Sequence, residues 1–150
     1  MTSLFKKLNL PKVDTILVLG APDSFAEELD QLDDVNVLCK ASAKTKVTFS
    51  IGFAITTAQR DAVSRKLCAA ADGDAIVWLA YPKKSSKNYD CEFNRDSGWD
   101  VMGEAGFEGV RQVAIDEDWS ALRFRRTENI KTMRRNPKMA ISKEGKRRTK

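Results

Sequence analysis

The stretch Ala75–Lys84 reads A-I-V-W-L-A-Y-P-K-K. Its first six residues are an unbroken apolar run without charge, too short for a helix and β-branched or aromatic at Ile76, Val77 and Trp78. Such a run is a strand covered on both faces, and we read it as the central strand of a sheet. Tyr81-Pro82 ends it, since proline has no N–H to give to a ladder, and Lys83 and Lys84 then leave together from its carboxyl end. In an open α/β sheet, ligands settle at that end.

Upstream of this strand, Val47–Ile55 alternates apolar with small or polar residues and predicts another strand. Thr56 or Thr57 caps the following helix, Ala58–Ala71, whose apolar stripe is Ala62, Val63, Leu67, Ala70 and Ala71 and whose stop is Asp72-Gly73-Asp74. A helix, a D-G turn and a buried strand in that order fit a right-handed crossover in a parallel sheet. Further back, Thr15–Leu19 is a second buried run that turns at Gly20-Ala21-Pro22-Asp23 into a helix. Ser24–Glu27 reads as its capping box, with Phe25, Leu29 and Leu32 on one face. After the Asp33-Asp34 turn, Val35–Cys39 is the return strand and Lys40–Lys46 a polar connection. Leu4, Phe5, Leu8 and Leu10 predict a short helix or arm laid on the core before Pro11.

Downstream, Ser85–Asp90 is a polar loop, and Asn94 or Asp96 caps a helix that runs to about Ala105, carries Trp99, Val101 and Met102, and ends at Gly106. Val110–Ile115, the turn Asp116-Glu117-Asp118 and Trp119–Phe124 form an antiparallel hairpin at a sheet edge. With about six strands and three or four helices in alternation, the expectation is a three-layer α/β fold with a mostly parallel sheet.

Composition bounds the function. The 150 residues suit one domain, expected over 1–126 and followed by a basic, partly disordered tail over 127–150. From Thr127 on there are nine Lys or Arg against Glu128 and Glu144, leaving 17 basic and 19 acidic residues before it, so the net +5 resides in the tail. Neither a membrane span nor a secretory signal is read, and a cytoplasmic protein is expected. There is no histidine, which removes the commonest general base, the usual zinc partner of cysteine and every Ser-His or Cys-His nucleophile. Cys39, Cys68 and Cys91 are an odd number at wide spacing and read as core thiols.

In this order the motifs resemble the minimal core of class I, Rossmann-like methyltransferases. More narrowly, A-P-D-S-F, W-L-A-Y-P-K-K and V-A-I-D-E-D-W-S-A-L-R-F look like an uncharacterised bacterial domain-of-unknown-function family of short methyltransferase-like proteins. The resemblance covers roughly Ser3 to Arg126 and implies the fold, with no activity to carry over. The chain departs from a working cofactor site in two places. Gly20 stands alone before Ala21-Pro22, where a glycine-rich turn is needed to close on the ligand, and the second strand ends at Cys39-Lys40-Ala41, where an acid would take ribose hydroxyls. No cofactor is therefore expected.

No catalytic residue and no metal ligand set is assigned. Asp116, Glu117 and Asp118 read as a turn, and Trp78 and Trp119 as core. Lys83 and Lys84 can hold a phosphate or carboxylate together with the amides after Thr56, or stand as solvated lysines. Three functions stay open. The first is a non-catalytic binding or interaction module that takes an anionic small molecule. The second is a cryptic transferase using Asp23, Lys83 and Trp119. The third is nucleic-acid association through Lys131, Arg134, Arg135, Lys138, Lys146, Arg147 and Arg148, for which the same tail can instead pack through Ile130, Met133, Met139 and Ile141.

Overall fold

The computed structural model describes residues 3–93 and 99–130. The tail cations from Lys131 on, and Asn94 and Asp96, lie outside the described residues. One six-stranded sheet organises the rest. Its strands are β1 (Thr15–Leu19), β2 (Asn36–Leu38), β3 (Val47–Phe53), β4 (Ala71–Pro82), β5 (Phe107–Ala114) and β6 (Trp119–Arg126), in the spatial order β2-β1-β3-β4-β6-β5. The β1–β2, β1–β3 and β3–β4 pairs are parallel, while β6 pairs antiparallel with both β4 and β5. Among the described residues four α-helices accompany it: α1 (Ser3–Lys7), α2 (Asp23–Asp30), α3 (Thr57–Ala70) and α4 (Asp100–Glu104).

The apolar run in β4 is two-faced, as its composition demands. Ala75, Val77, Leu79 and Tyr81 enter the core beneath α3 and α4, with Leu67, Ala70 and Met102. Ile76, Trp78 and Ala80 enter the opposite core with Leu4, Phe5 and Leu8 of the N-terminal segment and Phe25 of α2. Trp78 is fully buried, and its indole N–H donates to the Leu8 carbonyl at 3.0 Å, which ties the N-terminal arm down across the sheet. Helices on both faces of a mostly parallel sheet make the three-layer α/β, Rossmann-like architecture.

Several local expectations are corrected. No capping box forms at Ser24, because α2 starts at Asp23: Pro22 is its N-cap, with φ −72° and ψ 163°, and offers no side-chain cap. Asp72-Gly73-Asp74 does not separate helix from strand. Ala71 already pairs with Val47, and the extra residues are absorbed as an irregularity before Ile76 pairs with Phe49, with Gly73 at φ +60°. Ala62 is exposed, and Ser64 takes its place among the buried residues of α3. Gly52 explains how closely α3 rides on β3, since a Cβ there would lie 2.2 Å from Val63 Cγ1. Cys39 is exposed at the end of the short β2 and is not a core thiol, while Cys68 and Cys91 are half-buried. The hairpin strands are longer than expected, with a break in register between Gly109 and Arg111. The helix before Gly106 is a single short turn whose described part begins at Asp100. The start of the basic tail lies on the body, since Thr127 and Ile130 are buried and the Thr127 N–H donates to the Gly106 carbonyl at 2.9 Å.

Candidate functional site

Parallel pairing of β1, β3 and β4 brings Leu19, Phe53 and Pro82 to one edge of the sheet, and antiparallel β6 delivers its first residue, Trp119, opposite Pro82. Asp23, Thr56, Lys83, Lys84 and Trp119 therefore all stand at this carboxyl edge, in different roles. Asp23 is exposed on the first turn of α2, beyond Gly20, which turns the chain out of β1 with φ +71° and at which a Cβ would lie 3.2 Å from the Phe53 carbonyl oxygen. Trp119 is buried between Phe53, at 5.3 Å and edge-on, and Tyr89 at 5.1 Å, and is core.

Thr56 is the N-cap of α3. Its hydroxyl accepts from the Gln59 N–H at 3.1 Å, and Gln59 Oε1 in return accepts from the Thr56 and Ile55 amides. The next free donor, the Thr57 N–H, does not wait for an external anion: it donates to Glu92 Oε1 at 2.8 Å. Sequence reading missed Glu92, which lies 35 residues away and carries no local signal. Its own N–H donates to the Ile55 carbonyl at 3.1 Å, so the segment 91–93 is strapped across the end of β3. Phe93 pins that strap, with the Arg60 guanidinium 5.1 Å over its ring and Trp99 and Tyr81 at 5.5 and 5.7 Å.

Between the strap and the end of β4 lies a cleft of about 320 Å³, lined by Tyr81, Lys83, Lys84, Tyr89, Asp90 and Phe93 among others. Lys83 is half-buried and Lys84 exposed. The Lys83 N–H donates to the Asp118 carbonyl at 2.7 Å, and the Tyr81 hydroxyl accepts from Gln112 Nε2 at 2.8 Å, so the floor of the cleft is fixed by β5 and the turn that leads into β6. The acidic turn is engaged internally. Asp116 Oδ1 accepts from the Asp118 and Trp119 amides, and Asp118 accepts from Ser86 Oγ and Asn88 Nδ2, which anchors the loop after Lys84. The exit of β2 presents Cys39 and Lys40, and the acids Asp33 and Asp34 line a separate cavity of about 380 Å³ at the other end of β1.

No family model and no curated protein matches the chain. Solved structures do match. A SAM-dependent methyltransferase from Aquifex aeolicus superposes with a TM-score of 0.55 at 13% identity, over 82% of this chain and 87% of that one. The N-methyltransferase NodS from Bradyrhizobium japonicum WM9 matches with a TM-score of 0.51 at 11% identity, over 82% and 92% of the two chains. The pyocyanin biosynthetic protein PhzM gives 0.52 at 11% identity, over 83% of this chain and 54% of its own. At these identities the likeness is one of fold, and the chain has the Rossmann-like fold of class I methyltransferases.

Proposed function

We propose that the protein is a non-catalytic binding module on a methyltransferase-like scaffold, of the uncharacterised bacterial kind its motifs resemble, and that it takes a small anionic, ring-bearing molecule in the cleft after β4. The observation that carries this reading is Glu92: the helix N-terminus beside the cleft is filled by the protein's own carboxylate, held by the Thr57 N–H at 2.8 Å. Three further features do not fit S-adenosylmethionine in its usual pose. Gly20 is the lone glycine of the turn after β1, Pro22 lacks a donor N–H, and Lys40 stands where a ribose-binding acid is needed. The cleft offers instead Lys83 and Lys84 as cations and Tyr81, Tyr89 and Phe93 as ring faces.

A cryptic transferase is the second reading, favoured by the shared edge of Asp23, Lys83 and Trp119 and weakened by the burial of Trp119. Calorimetry and thermal shift separate the two. Aromatic carboxylates and nucleoside phosphates are expected to raise the melting temperature, and Lys83→Ala with Lys84→Ala to abolish the shift. Should S-adenosylmethionine stabilise the protein by about 2.7 kcal/mol at 100-fold its dissociation constant, the non-catalytic reading fails.

A further inference from the structure

The sheet carries a second charged surface, far from the cleft, on the opposite half of β6. Alternate residues of a strand share a face. Trp119 and Ala121 of β6 belong to the core under α1 and α2, so Arg123 and Arg125 lie on that same side of the sheet. Arg111 of β5 is the direct cross-strand neighbour of Arg123. The lateral sequence on this face is therefore Trp78, Arg123, Arg111, with Arg125 next along β6. Lys7 of α1 adds another cation at the rim, where its Nζ donates to the Ala114 carbonyl at 2.9 Å.

Counter-charge is unevenly supplied. Asp74 takes Arg125 with two hydrogen bonds, at 2.9 and 2.6 Å, and Glu108 lies opposite Arg125, fully buried. Among the described residues no carboxylate pairs with Arg111 or Arg123. The Nε of Arg123 is buried without a hydrogen-bond partner. Burial, and the nearby Arg125 and Arg111, press the Arg123 guanidinium below its ordinary value. Like charges directly opposite on paired strands are unfavourable and call for a counter-charge. An anion laid across the face supplies one, since the planar guanidinium fork matches phosphate and carboxylate oxygens.

We infer that the face formed by Arg111, Arg123 and Arg125 docks the phosphate backbone of a nucleic acid. A polymer is favoured over a single small anion because the cations are spread along two strands and continue in the sequence. After β6 nine further Lys or Arg follow against two Glu. A distributed row of cations beside the edge strand β5 suits a repeating phosphate, each contact releasing condensed counterions.

Fluorescence anisotropy of the full chain with labelled single- and double-stranded DNA and RNA, titrated against salt, tests this. Arg111→Gln, an exposed position, is expected to weaken binding roughly tenfold at low salt, a charged hydrogen bond's worth. It should also lower the slope of log K against log salt by about 0.7–0.9, the loss of one phosphate contact. Arg123→Gln should do the same while the melting temperature holds or rises. Lys66→Gln on α3, on the other side of the sheet, removes an equal charge and serves as the reference. If Arg111→Gln changes affinity and slope no more than Lys66→Gln, the proposal is overturned. It is also overturned if the full chain ignores every polynucleotide at low salt while binding poly-glutamate through Arg111, since the partner is then an acidic protein. Arg111 is exposed, so the outcome does not depend on whether the Arg123 variant folds.

Discussion

At the residue scale, Trp78 and the cysteines show how burial sets behaviour. Trp78 fills the centre of one core layer and holds Leu8 by its indole N–H. Trp78→Ala removes both, and should cost about 3–5 kcal/mol in chemical denaturation. Trp78→Phe keeps most of the packing but leaves the Leu8 carbonyl without its donor, so it should cost less. If the alanine variant unfolds at the wild-type denaturant midpoint, β4 is not the strand that anchors both layers. The thiols test burial from another side. Cys68 lies against α4, with its Sγ 3.3 Å from Met102 Sδ, and burial pushes its thiol up to about 12. Burial raises Cys91 as well. The thiolate is the reacting form, so at pH 8 iodoacetamide should modify exposed Cys39 first and Cys68 last, read by peptide mass mapping. Raising the pH towards 12 should speed Cys68 steeply. Equal rates for Cys39 and Cys68 at pH 8 would contradict the packing of α3 on α4.

At the element scale, α3 is bound to the candidate site at its first turn. Thr56 and Gln59 form the capping box, and Glu92 takes the amide that the box leaves over. Thr56→Ala should cost about 0.5–2 kcal/mol. Glu92→Gln keeps an acceptor but loses the charge that complements the helix N-terminus, an effect of about 0.3–1 kcal/mol. The decisive readout is amide exchange at Thr57, which should accelerate in Glu92→Ala far more than in Glu92→Gln. Unchanged exchange in both variants means that the strap does not hold the helix. These contacts mark the limit of what the sequence made legible. Thr56 was readable as a cap because its partner lies three residues on. Glu92 was not, because its partner is fixed only once β3 and the loop after β4 share an edge. The same divide explains α2. Ser24 and Glu27 have capping-box spacing, but proline at residue 22 is already in extended geometry, and the helix begins before the box can form. Gly73 read as a stop for the same local reason, whereas pairing with β3 recruits Ala71 into the strand.

At the scale of the whole molecule, period and order were enough for the architecture. Apolar runs at Thr15–Leu19 and Ala75–Ala80, each preceded or followed by helical spacing, specify parallel strands, and a three-residue acidic turn between two strands specifies the hairpin. What they left open is the placement of the hairpin: β6, the later strand, inserts beside β4, and β5 is left at the edge. That arrangement makes β1, β3, β4 and β6 the interior of the sheet, with β2 a three-residue edge strand paired on one side to β1. Local opening follows the number of buried neighbours an element must abandon. Hydrogen exchange read residue by residue should therefore find its slowest amides at Ile51, Trp78, Leu79 and Leu122, close to the global unfolding free energy. Amides of β2 should exchange through small openings that precede it. The cleft after β4 sits on the slow side of this gradient and the exit of β2 on the fast side. If β2 proves as protected as β4, the sheet unfolds as one unit, and the carboxyl edge is uniformly rigid and not divided into a firm floor at Tyr81 and a loose margin at Cys39.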